Sequence, residues 1–272
     1  MDRIKTALDK TRARRKQLGD TSPLREAESG RALQAYQPLE NIHYTQTRSF
    51  KVRQNVLTRR RLIAGNRADP RADAFKILRT QVLKAMRDNG WTTLGITGPT
   101  SGVGKSLVAA NLAVSISFEV NQTVLLVDAD LRHPSLHTYF NFKPDLGLLD
   151  YLEGNATLPQ ILINPVYERL VLLAGRGSSP GSSELMSSPR MTDLAKELKL
   201  KYQSRIVIFD LPPILNIDDA LVFLPNLDAT LLVVENGGNT QSEVQTAMRL
   251  LEGNNVLGTV LNKADEEIRD YY

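Results

Sequence analysis

Residues 94–113 read LGITGPTSGVGKSLVAANLA, and the reading of the whole chain turns on them. A short apolar run leads into a Gly-rich turn, then Gly104-Lys105-Ser106, then a run with the composition of a helix. A turn of this kind points successive backbone N–H groups inward, and the following helix N-terminus adds positive potential, so the segment is built to hold phosphate. Gly102 and Gly104 let the backbone approach an anion closely, Lys105 has the length to reach the β- and γ-phosphates, and the Ser106 hydroxyl suits Mg²⁺. The candidate cradle is Ser101, Gly102, Val103, Gly104, Lys105, Ser106 and Leu107. The first glycine of the usual spacing is replaced by Pro99, with Gly98 one residue earlier, so the loop is a relative of the common form.

Working outward, the chain alternates. TTLGIT, TVLLVDAD, RLVLLAG, RIVIFDLPP, ATLLVVEN and NVLGTVLN read as strands. Between most of them lie helical stretches such as PRMTDLAKELKLKYQ and TQSEVQTAMRLLEGN. Apolar strands alternating with helices predict an α/β fold, a P-loop NTPase-type parallel sheet with helices on both faces. Before the first strand, DPRADAFKILRTQVLKAMRDNG places Ala74, Ile77, Leu78, Val82 and Met86 at helical spacing, with Gly90 as the stop. Residues 1–18 offer a short helix, and residues 19–70 are polar and turn-rich. The expected organisation is a basic, partly disordered arm over 1–70, a P-loop domain over 71–263, and an acidic tail over 264–272.

Two strand ends carry carboxylates. VLLVDADLR places Asp128 and Asp130 just past an apolar run, and IVIFDLPP does the same with Asp210. The carboxyl edge of such a sheet is where ligands bind. Asp128, Asp210 and Ser106 together suit Mg²⁺, which prefers oxygen ligands and keeps waters. One carboxylate could instead accept a proton from an attacking hydroxyl.

The 272 residues carry 34 Lys/Arg and 30 Asp/Glu, a net charge of +4 that is unevenly spread. Residues 1–61 hold 15 basic and 6 acidic side chains, a net of +9; the remainder holds 19 and 24, a net of −5. The absence of cysteine excludes disulfides and thiolate metal sites. No apolar run approaches the roughly 18 residues of a spanning helix, and the N-terminus lacks the apolar centre of a signal peptide. The expectation is a cytoplasmic protein.

The motifs GPTSGVGKS, LLVDADLR and IVIFDLPP, with LAGRGSSPGSSELMSSPRM between them, resemble the Walker A, A′ and B motifs and linking segment of bacterial tyrosine kinases (BY-kinases) of capsule and exopolysaccharide synthesis. The resemblance covers roughly residues 70–272. It implies an ATP- and Mg²⁺-dependent kinase that phosphorylates a C-terminal tyrosine cluster in trans, here Tyr271 and Tyr272. It also implies a ring-like homo-oligomer, a separate membrane-spanning polysaccharide co-polymerase that holds the chain at the inner face of the membrane, and a cognate tyrosine phosphatase; no nucleic acid is expected. Carried over by residue, Lys105 and Ser106 hold phosphate and metal, Asp128 is the favoured base or metal-water partner, Asp130 and Arg132 organise the second motif, and Asp210 supports the metal. The family's Glu, Arg, Arg stripe, used between subunits, is matched in charge by Asp73, Lys76 and Arg79.

Other P-loop classes fit less well. LNKAD contains the guanine-reading spelling Asn262-Lys263-x-Asp265, but the further loop and helix of a GTPase have no room in the 7 residues left, and DLPP lacks the switch glycine. Asn262 is then a candidate adenine contact. A partitioning-type ATPase would carry a signature lysine in GPTSGVG, where none stands. A non-catalytic ATP-binding scaffold of the export machinery is the remaining alternative.

Overall fold

The computed structural model describes residues 47–66, 68–165, 167–200 and 204–264. The expected helix at 1–18, most of the arm and the tyrosine pair lie outside them. Eight strands form one sheet: β1 (Arg48–Phe50), β2 (Thr93–Thr97), β3 (Thr123–Asp128), β4 (Leu162–Pro165), β5 (Leu170–Leu173), β6 (Arg205–Asp210), β7 (Ala229–Glu235) and β8 (Val256–Asn262). Their spatial order is β1-β4-β5-β3-β6-β2-β7-β8. The pairings from β5 to β8 are all parallel. β4 runs antiparallel to β5, and β1 follows β4 in parallel. The sheet is therefore the mostly parallel α/β sheet that the alternation predicts, with a reversed edge that it does not.

The central strands are buried on both sides, and their alternate residues feed two separate cores. Leu94, Ile96, Val124, Leu126 and Ile208 join one with α2 (Ala72–Asn89) and α3 (Lys105–Ile116). Leu125, Val127, Val207 and Phe209 join the other with α8 (Pro189–Leu200) and α10 (Gln241–Leu250). Smaller helices fill the crossovers: α4 (Leu136–Tyr139), α5 (Leu148–Leu152), α6 (Leu158–Ile161), α7 (Ser182–Met186) and α9 (Asp219–Phe223).

α2 ends as expected. Gly90 takes φ 68°, and the N–H groups of Gly90 and Trp91 reach back to Arg87 and Met86, closing the last turn. Its buried face differs in part from the one predicted. Ala72, Val82, Leu83 and Met86 are buried, whereas Ala74 is exposed and Ile77 is 61% exposed. Val82 and Met86 are buried as predicted and Leu78 is half-buried, so the pattern departs from the covered face only at Ala74 and Ile77.

Residues 48–64, read from sequence as arm, are built into the fold. β1 extends the sheet, α1 (Gln54–Arg59) follows, and Leu57 and Leu62 are fully buried. The segment is tied to α3 by Asn111, whose Oδ1 accepts from the N–H groups of Ile63 and Ala64 at 2.8 and 3.0 Å, while its Nδ2 donates to the Arg61 and Leu107 carbonyls at 3.0 and 2.9 Å. Arg61 is held there at φ 63°, a conformation that costs free energy for a residue with a side chain.

Candidate nucleotide site

β2 delivers the chain to the middle of the carboxyl edge, where residues 98–104 turn into α3. Gly102 and Gly104 have φ 82° and 95°. The loop is braced from behind. Ile214 and Leu215 donate to the carbonyls of Gly98 and Pro99, the Thr97 hydroxyl donates to the Pro212 carbonyl, and Asn239 donates to the Thr100 hydroxyl. By contrast, the N–H groups of Thr100, Ser101, Gly102, Val103 and Gly104 donate to no acceptor among the described residues. Five successive unpaired donors ahead of a helix with no acidic residue in its first turn make a strong anion cradle. Lys105, in that first turn, is only 7% exposed.

The two acidic strand ends meet beside this loop. Asp128 and Asp210 pair in register across β3 and β6, and Asp210 also pairs with Ile96 of β2. Both carboxylates are fully buried. Asp128 Oδ2 accepts from the N–H groups of Ser135 and Leu136, each at 3.0 Å, while its Oδ1 has no partner. Burial, then the charge of Asp210, pushes Asp128 well above the usual carboxylate range. Burial raises Asp210 to about 7, against the pull of the Lys105 ammonium and the Ser106 hydroxyl. Ser106 lies close enough to exert that pull, yet neither Asp210 oxygen has a well-aligned hydrogen bond. Asp130 is buried and accepts from the His133 N–H at 2.9 Å, so it folds the turn after β3.

Other predicted residues take different posts. Arg132 faces Asp219, a fully buried carboxylate on α9, with Nε–Oδ2 at 3.3 Å and Nη2–Oδ1 at 3.4 Å. Asn262, the candidate adenine contact, instead donates its Nδ2 to the Val103 carbonyl at 2.8 Å and sits against Gly104. Asp73, Lys76 and Arg79 lie on α2, away from the loop residues. Lys76 pairs with Asp73 at 2.6 Å, and Arg79 approaches Glu119 at 3.0 Å and donates to the Ser115 carbonyl. Tyr271 and Tyr272 lie outside the described residues.

Sequence reasoning missed Asp219, Asn111 and Asn239. Each is a lone polar residue whose partner is distant in the chain. For Asp219 the available signal was a second acidic pair, Asp218-Asp219, shortly after DLPP.

The site suits a nucleotide with Mg²⁺. Three buried carboxylate oxygens, Asp128 Oδ1 and both of Asp210, have no partner. Among the described residues no three acidic or histidine side chains form a ready-made metal cage. The three unpartnered carboxylate oxygens suit Mg²⁺, which prefers oxygen ligands and keeps several waters.

Residues 94–271 match the family described as CbiA: CobQ/CobB/MinD/ParA nucleotide binding domain. A putative tyrosine-protein kinase EpsB from Ralstonia solanacearum is 36% identical over 205 residues, which make up 75% of this chain and 27% of that protein. The chain thus spans about a quarter of the length of that relative. The solved kinase domain of Escherichia coli tyrosine kinase ETK superposes with a TM-score of 0.69 at 34% identity, covering 78% of this chain and 82% of that one. The crystal structure of the chimerical protein CapA2B2 superposes with a TM-score of 0.70 at 30% identity, covering 80% and 93%.

Proposed function

Because the chain belongs to the CobQ/CobB/MinD/ParA nucleotide-binding family, and within it to the bacterial tyrosine kinases, we propose that it is an ATP- and Mg²⁺-dependent tyrosine autokinase acting on Tyr271 and Tyr272 of a neighbouring copy. The observation that carries this reading is the pairing of Asp128 and Asp210, buried and in register, beside five free loop N–H groups. The free N–H groups and Lys105 cradle the β- and γ-phosphates. Mg²⁺, when bound, supplies charge neutralisation between those phosphates, and Ser106, Asp210 and Asp128 are the residues suited to hold it or its waters. A tyrosine hydroxyl attacks the γ-phosphorus, the bond to the bridging oxygen of ADP breaks, and the phenolic proton passes to ionised Asp128, whose Oδ1 has no other partner. Arg132, steered by Asp219, is placed to meet phosphate charge.

We assign the chain a role in regulating exopolysaccharide or capsule polymerisation and export, through a separate membrane-spanning co-polymerase and a ring-like homo-oligomer. The likeness to CapA2B2 and the tyrosine-kinase relatives support this. Among the described residues no helix is long and apolar enough to cross a membrane, and we assign anchoring at the inner face to that co-polymerase. The α2 stripe remains the proposed subunit contact, with exposed Ile77 beside Lys76 as its apolar element. A cognate tyrosine phosphatase reverses the modification.

The test is to incubate the full chain with Mg-ATP and locate phosphate by mass spectrometry. Phosphate is expected on Tyr271 and Tyr272, and none in the Lys105→Met variant unless unmodified enzyme is added to phosphorylate it in trans. ATP hydrolysis without phosphotyrosine would return the chain to the partitioning-type reading, and ATP binding without turnover to the scaffold reading.

A further inference from the structure

Beside the phosphate loop the described surface holds a basic cleft that the kinase reading leaves unused. Arg59, Arg60 and Arg61 follow one another at the end of α1, all exposed. With Thr138 and Tyr139 of α4 they line a cavity of about 300 Å³. An adjoining hollow shares Arg60 and Thr138 and adds Lys143. Among the described residues none of these four cations forms an ion pair, in contrast to Arg48, Arg71, Arg79, Lys84, Arg132 and Arg176. Three adjacent unneutralised guanidinium groups generate a positive field and suit carboxylates.

The residues lining the cleft are tied to the Asp128–Asp210 end of the sheet. Arg60 Nη1 donates to the Thr138 carbonyl at 2.7 Å, clamping α1 to α4. Arg61 is fixed in its left-handed conformation through the Asn111 bond to its carbonyl. The start of α4 is pinned to Asp128 by the Ser135 and Leu136 N–H groups. Tyr139 feels both sides: burial and the charge of Asp210 raise its pKa, and Arg61 lowers it.

We propose that the Arg59–Arg61 cleft docks the acidic tail of a second copy of this chain, presenting that copy's terminal tyrosines to the Asp128–Asp210 end of the site. The proposal rests on the kinase reading and deepens it by naming what selects the substrate. Charge complementarity favours this occupant, since residues 265–270 read DEEIRD, with four carboxylates to one arginine. Geometry favours a second copy. The tail leaves β8, which stands four places from β3 in the sheet, roughly 19 Å at about 4.8 Å per strand. The backbones of Asp265 and Glu266, three and four residues beyond Asn262, extend at most roughly 10 to 14 Å, short of that span, whereas Asp270, eight residues beyond, could cross it, so it is the leading acidic pair that favours a second copy.

The experiment measures binding of a fluorescein-labelled peptide of residues 262–272 to the full chain by anisotropy. Arg59→Ala with Arg61→Asn, the latter suited to the left-handed backbone, is expected to weaken binding about tenfold or more. A peptide carrying Asp265→Asn, Glu266→Gln and Glu267→Gln is expected to lose a similar factor without any risk to folding. The two changes together should cost less than their sum, because they remove one interaction. A fluorescent ATP analogue should bind all enzyme forms alike. Peptide affinity unchanged within about twofold in either variant, or fully additive losses, would overturn the proposal. So would loss of binding to phosphatidylserine vesicles with peptide binding intact, which would make the cleft a membrane contact. Binding is read without phosphate transfer, so the two readings fail separately. Docked peptide without phosphotyrosine sinks the kinase, and phosphotyrosine without charge-dependent docking sinks the cleft.

Discussion

Gly104 has no room for a side chain. A Cβ there would stand 2.1 Å from Asn262 Nδ2, and the backbone is at φ 95°. Gly104→Ala is therefore expected to destabilise the chain by about 1–3 kcal/mol and to cut nucleotide affinity at least about tenfold, as read by thermal melting and titration calorimetry. Adding Asn262→Ala should relieve the clash but leave the backbone strain, so recovery should be partial; full recovery would mean that the left-handed conformation costs little. At this scale most of the site was legible. Lys105, Ser106, Asp128 and Asp210 announce themselves because loop and strand-end chemistry is local in sequence. Asp219 and the loop-bracing duty of Asn262 were not legible, because each depends on a contact across the fold: Asp219 with Arg132, 87 residues away, and Asn262 with Val103, 159 residues away.

Strands β2, β3, β5, β6 and β7 were readable because both of their faces are buried, which makes them continuous apolar runs, and β8, a partly exposed edge strand, was readable from its β-branched VLGTVLN run. β1 and β4 are 3 and 4 residues long, at the reversed edge, and neither carries such a run. Helix α2 was readable in extent, and in face from Leu78 onward but not at Ala74 and Ile77. Its covered side includes Ala72 and half-buried Phe75, and the apolar count alone favoured exposed Ile77. The junction between α1 and α3 depends on one buried amide, Asn111. Asn111→Leu would leave the Ile63 and Ala64 N–H groups without acceptors, at about 1–3 kcal/mol per buried group. A loss of about 2–4 kcal/mol in urea unfolding is expected. Amide exchange at residues 61–64 should accelerate ahead of the strands. Uniform acceleration would show that this segment unfolds only with the whole domain.

The molecule as a whole stores two carboxylates that it would rather keep neutral. Asp210 titrates near 7 in the fold, above its ordinary value of 3.8. The folded state therefore holds a proton that the unfolded chain releases earlier, and this contribution to stability is complete below about pH 4 and is lost as pH rises through about 7. Between about pH 6 and 8 the ligand-free protein should melt progressively lower, and Asp210→Asn should flatten that slope. Mg-nucleotide affinity should move the other way, rising with pH as Asp210 ionises. An observed binding enthalpy that differs between phosphate and Tris buffers, which reports proton release, gives an independent check; parallel slopes for both measurements would remove Asp210 from the site. Asn262 has a wider consequence. It fastens the end of β8 to a carbonyl of the phosphate loop, so on the proposed reaction in trans the root of the tail is fixed to the nucleotide site and the number of residues after it would set its reach. Each residue inserted after Ala264 would lengthen reach by about 3.4 Å without disturbing that site. Under that proposal, which tyrosine is presented, and to how distant a neighbour, would be a matter of counting residues, separable from the chemistry that modifies them.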